Sequence, residues 1–107
     1  MEEVVLTTPD QPCFIGAWYL PDLSICDEIV RVFETDHFRK DEGLSGGSKH
    51  GVVNKEIKDS IDGELRQRPD IADRFTANLA AVLQKYKEKF PNSDKVETYF
   101  YDCLNIQ

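Results

Sequence analysis

Side chains alternate in character along the last eight residues, Phe100-Tyr101-Asp102-Cys103-Leu104-Asn105-Ile106-Gln107. Phe100, Asp102, Leu104 and Ile106 fall on one side of an extended chain, and Tyr101, Cys103, Asn105 and Gln107 on the other. From Leu104 on, the first side is apolar. The second ends in two amides that need hydrogen-bond partners. A strand with one greasy and one polar face separates a core from a cavity, so the chain must build at least one sheet with a covered and an open side. No turn residue closes the stretch, and the expectation is a strand that continues into further sequence.

The same stretch carries a family resemblance. Tyr101 followed by Asn105-Ile106-Gln107 is similar to the strand that leads into the metal motif of prolyl-hydroxylase-like 2-oxoglutarate/Fe(II) dioxygenases, with the phage and cyanobacterial branch nearest. Phe14-Ile15-Gly16-Ala17-Trp18-Tyr19-Leu20-Pro21, a short helix and then Lys58-Asp59-Ser60 resemble the family's opening order. The resemblance implies 2-oxoglutarate-coupled hydroxylation at Fe(II), releasing succinate and carbon dioxide. It also implies that Asn105 and Gln107 line the co-substrate pocket; the plainer alternative is two amides that satisfy neighbouring backbone groups. The family's Arg-Tyr pair, Gly-rich turn and His-x-Asp do not occur within these residues. The reading is therefore an N-terminal segment, without catalytic or metal-ligating residues of its own and not catalytic by itself, with Fe(II) and 2-oxoglutarate belonging to the longer family enzyme. The rival is a small non-catalytic protein–protein interaction module.

At 107 residues the chain makes one domain, able to bury about two-thirds of its unfolded surface. No apolar run approaches the roughly 20 residues that span a bilayer, so no membrane partner is expected. Glu2 and Glu3 stand where a signal peptide carries bases, which points to the cytoplasm. Cys13, Cys26 and Cys103 lack metal-type spacing and read as reduced, buried thiols. The net charge of -7 is concentrated at the front: residues 1–36 hold eight acids and one base, residues 37–107 twelve of each. Binding to nucleic acid is not expected, because a phosphate backbone needs a basic face.

Residues 1–12 read as a proline-broken leader along the domain edge, and Cys13 to Leu20 as a first strand covered on both faces. Gly16 marks a bulge or a close approach. Ser24-Ile25-Cys26-Asp27 opens a helix with a capping box, and Ile25, Cys26, Ile29, Val30 and Phe33 form its stripe to about Glu34. Residues 35–51 are aperiodic and glycine-rich, a flexible loop that serves either as a lid or as a tolerated surface insertion. Val52 to Ile61 reads as a second strand, with Asp62-Gly63 as the turn after it. Pro69-Asp70 opens the longest helix, capped by Asp70, with Ile71, Phe75, Leu79, Val82, Leu83, Tyr86 and Phe90 as core stripe across a sheet.

His37 is followed by Phe38-Arg39 and His50 by Gly51-Val52, so neither forms His-x-Asp; both lie in the loop and read as solvated. Cys26, near a helix N-terminus, reads as a structural thiol on the apolar stripe. The fold expectation is an α+β chain of about three strands and two helices packed on an incomplete antiparallel sheet. The resemblance makes that sheet part of a double-stranded β-helix, or jelly roll. Its C-terminal strand would leave an exposed edge, and self-association through it is expected. The substrate is not legible.

Overall fold

The computed structural model describes residues 1–7, 13–46, 51–95 and 103–107. The elements are α1 (Ser24–Phe33), β1 (Asp41–Glu42), β2 (Ile61–Glu64), α2 (Pro69–Lys89) and β3 (Asn105–Ile106), with 3₁₀ turns at Leu65–Gln67 and Pro91–Lys95. Among the described residues the chain is a small α+β protein with two helices and a three-stranded antiparallel sheet in the order β1-β2-β3. Asp41 pairs with Asp62 and Glu42 with Ile61, and on the other side of β2 Gly63 pairs with Ile106 and Glu64 with Asn105.

One core joins the helices to the sheet: Ile25 and Val32 from α1, Phe38, Leu65, Ile71 and Ala72 from the start of α2, and Leu104. Leu20, Ile29, Phe33, Phe75 and Ile106 pack against it. The alternation read at the C-terminus holds over residues 103–107: Leu104 is buried and Ile106 half-buried, while Cys103, Asn105 and Gln107 are exposed. Its earlier part, Phe100 to Asp102, lies outside the described residues.

α1 spans the expected residues with a rotated face. At about 100° per residue, Ile25, Ile29, Val32 and Phe33 share one side, and Cys26 and Val30 sit roughly 75° and 115° from its centre. Cys26 is exposed and Val30 is 59% exposed, so the buried thiol expected there is an accessible one. Cys103 is exposed as well, and Cys13 half-buried. No capping box forms. Leu23 is the cap residue, and Asp22 Oδ1 accepts the Ser24 N–H at 2.9 Å. At the other end Lys40 Nζ donates to the Phe33 carbonyl at 2.7 Å, closing an orphan acceptor of the last turn.

The number of strands agrees with expectation, and so does the place of the last; the first two lie elsewhere. Residues 13–17 form no strand. This segment is an arm: Val4 N–H donates to Ala17 O and Tyr19 N–H to Glu2 O, with a bridge between Glu3 and Trp18. Phe14 and Ile15 are 72% and 66% exposed, so apolar residues on both faces did not mean cover on both faces. Gly16 is a close approach, as read, because a Cβ there would come within 2.5 Å of Trp18 Cη2.

Residues 35–46 are also more ordered than the composition of the loop implied. Phe38 is buried against Phe33, ring centroids 6.0 Å apart, and Asp41–Glu42 form an edge strand. Ser45 and Val52 close the excursion through two backbone hydrogen bonds of 2.8 and 3.0 Å; residues 47–50, His50 among them, lie outside the described residues.

The second strand begins where the sequence reading ended it. Residues 54–58 turn on the Asn54 carbonyl, and Asp62-Gly63 sits inside β2. Gly63 is there for room, not for a turn. The Phe38 ring lies on its backbone, and a Cβ would meet Phe38 Cε1 at 2.5 Å.

α2 has Arg68 as its cap residue and Pro69 in the first turn, so Asp70 is helical and not the cap. At 21 residues it is about 31 Å long, more than a sheet of such short strands can cover. Only Ile71 and Ala72 are buried. Val82, Leu83, Tyr86 and Phe90 are half-buried, and Leu79 is 38% exposed. The second half of α2 therefore overhangs the sheet and holds the arm instead: Tyr86 Oη donates to Phe14 O at 2.8 Å, Phe14 meets Phe90 edge-on, and Lys89 pairs with Glu3.

Candidate functional site

With α1 and the first turn of α2 on one face of the sheet, the polar side chains of the strands gather on the other. Asp62 and Glu64, two residues apart on β2, share a face. Asp41 stands opposite Asp62 and Asn105 opposite Glu64. With Arg39, Glu42, Leu44, Gly63 and Gln67 they line an open groove of about 420 Å³.

Side chains stitch its walls. The Gln67 amide behaves like a strand partner, accepting the Arg39 N–H at 2.8 Å and donating to the Arg39 and Glu64 carbonyls at 3.0 and 3.1 Å. Lys58-Asp59-Ser60 acquires a role here. Lys58 Nζ donates to Asp62 Oδ2 at 2.9 Å and Ser60 Oγ to Asp62 Oδ1 at 2.7 Å, while Asp59 lies 3.9 Å from the exposed Lys55. The hydrogen bonds from Lys58 and Ser60 hold the Asp62 carboxyl below its ordinary pKa against a small opposing effect of burial, with the Lys58 charge and the Asn105 side chain adding to the depression. Partial burial pushes Glu64 up, but its bonds from Arg66 and from the Leu104 N–H outweigh this and leave it lowered. Both carboxyls are ionised at neutral pH.

The two amides part company. Asn105 lies in the groove with its side chain against Asp62. Gln107 is exposed and does not line the groove. The groove offers a dicarboxylate little: its acids already hold cations, Arg39 on Asp41, Lys55 on Glu42, Lys58 on Asp62 and Arg66 on Glu64, so the guanidinium of the lining is engaged. His37 is exposed beyond α1, and no group of three His, Cys, Asp or Glu able to hold a metal occurs among the described residues. No described helix is long and apolar enough to cross a membrane.

Sequence reasoning missed Asp41, Glu42, Asp62, Glu64 and Gln67. The signal was present in Ile61-Asp62-Gly63-Glu64, whose two acids flank a glycine at strand spacing; reading Asp62-Gly63 as a turn hid it. No family model, curated protein or solved structure matches the chain.

Proposed function

We propose that the chain is the N-terminal segment of a prolyl-hydroxylase-like 2-oxoglutarate/Fe(II) dioxygenase, contributing scaffold and one wall of the active-site cavity. What carries the reading is β3 together with its sequence. Asn105-Ile106-Gln107, the residues that resemble the strand before the family's metal motif, run antiparallel to β2 with Ile106 toward the core and Asn105 toward the open face. The antiparallel sheet, covered by helices on one side and open on the other, suits one sheet of a jelly roll whose cavity lies on the open side. In this proposal the groove residues do not bind iron or 2-oxoglutarate. Lys58, Ser60 and Asp62 brace β2, and Asn105 joins that bracing from β3. The metal and the anchor for the co-substrate would come from residues following Gln107, so the 107 residues do not turn over.

The coding sequence downstream of codon 107 tests this at once. An Arg-Tyr pair, a Gly-rich turn and a His-x-Asp in frame support the reading; an immediate stop codon, or a continuation without His-x-Asp, removes it. The second reading, an interaction module, is favoured by one observation. Ile29, Leu65, Phe75, Leu104 and Ile106 line an open notch of about 340 Å³ beside β3, where an added strand or helix could seat.

A further inference from the structure

The ladder between β2 and β3 is short, with pairs at Gly63–Ile106 and Glu64–Asn105. A third pair begins where Leu65 N–H donates to the Leu104 carbonyl at 2.8 Å. In a regular antiparallel ladder the Leu65 carbonyl would accept the Leu104 N–H in return. It does not, because the chain has turned into the 3₁₀ segment and that carbonyl accepts from Arg68 N–H at 2.9 Å. The Leu104 N–H instead donates to Glu64 Oε2 at 2.9 Å, from a side chain 40 residues away. The other oxygen of the same carboxylate takes the Arg66 N–H at 3.4 Å and the Arg66 guanidinium.

We propose that Glu64 is the positioning residue for β3: its carboxylate replaces the ladder carbonyl lost to the 3₁₀ turn and so holds Asn105 against Asp62 at the groove. A carboxylate suits the task because it has two oxygens to divide between the turn and the strand, and accepts a backbone N–H more strongly than a neutral carbonyl. Apolar burial alone is a loose guide here. Leu104 and Ile106 exclude a slip of one residue, which would turn both outward, but a slip of two keeps an apolar residue inward. The end of the strand needs a fixed tether, and Glu64 supplies it. Its bearing on an oxygenase rests on the function proposed above; the tether itself does not, and the test reads the 107-residue chain alone.

The test is amide exchange by NMR on the labelled chain with Glu64→Ala and Glu64→Asp. The second variant keeps the charge and loses the reach. Leu104 N–H should exchange about tenfold faster or more in both, the Gly63–Ile106 cross-strand contact should weaken, and the Asn105 side-chain amide resonances should move toward free-amide positions, with α1 and α2 unchanged. A Leu104 amide as slow as in the parent, with the Asn105 resonances unmoved, overturns the assignment. If Glu64→Ala loses protection evenly through α2, Glu64→Asp decides by the same two outcomes.

Discussion

Replacing Ile71 by alanine probes the core where α2 meets the sheet. Its side chain is wholly buried, and the substitution removes three carbons. At about 0.8 kcal/mol per buried carbon the transfer loss is about 2.4 kcal/mol. A void of roughly 80 Å³ left open would add up to about 2 kcal/mol, less where neighbours collapse into it. The expected cost is about 3–4 kcal/mol, a large share of the 5–10 kcal/mol typical of a small domain. Leu79→Ala on the same helix removes as many carbons, but Leu79 is 38% exposed and its void opens to solvent. Only about 1.5 kcal/mol should be lost there. Urea unfolding followed by far-UV circular dichroism, with m-values held common, measures both. Costs within about 0.5 kcal/mol of each other, or in reverse order, would show that α2 is buried along its whole stripe and that the overhang described above is wrong.

Gly63→Ala should destabilise by driving a methyl into the Phe38 ring, and a Gly63→Ala, Phe38→Leu double variant should recover part of the loss; no recovery contradicts the close approach. Asp62 and Glu64 have lowered carboxyl pKa values, so their contribution is present above the unfolded range of about 4 and is lost as pH falls through the lower folded values. Protection of Leu104 should therefore hold from neutral pH down to about 4 and fail below it, and failure starting above pH ~5.5 would point to a different group. Cys26 and Cys103 should react with a thiol reagent in the native chain faster than Cys13; equal rates for all three would refute the exposure of Cys26 on α1 and of Cys103 ahead of β3.

What was legible followed periodicity long enough to repeat. α1 and α2 were placed to within a residue or so at each end because their apolar residues recur over more than two turns in each. The facing was less legible: Ile25, Ile29 and Val32 fit one side of a helix as well as the side containing Cys26 and Val30, and only packing on Leu65 and Leu104 chooses between them. The strands were short for a different reason. β1 has two residues, below the length at which alternation is a signal, whereas β3 was read from the alternation of Leu104 to Gln107; the partners of both are set by side chains such as Gln67 and Glu64 standing in for ladder bonds. Gly63 and Phe38 show the same limit. The glycine reads as a turn until the ring that covers it, 25 residues earlier, is known. The groove was hidden along with β2, since Asp62 and Glu64 acquire a common face with Asp41 only once that strand exists.

The most direct test of the proposed function is 2-oxoglutarate turnover by a chain extended through the downstream coding sequence, read as succinate formed with and without Fe(II). The account predicts iron-dependent succinate from the extended chain, none from residues 1–107, and no change on His37→Ala. Succinate from the 107 residues alone, or none from an extended chain that folds, would contradict it.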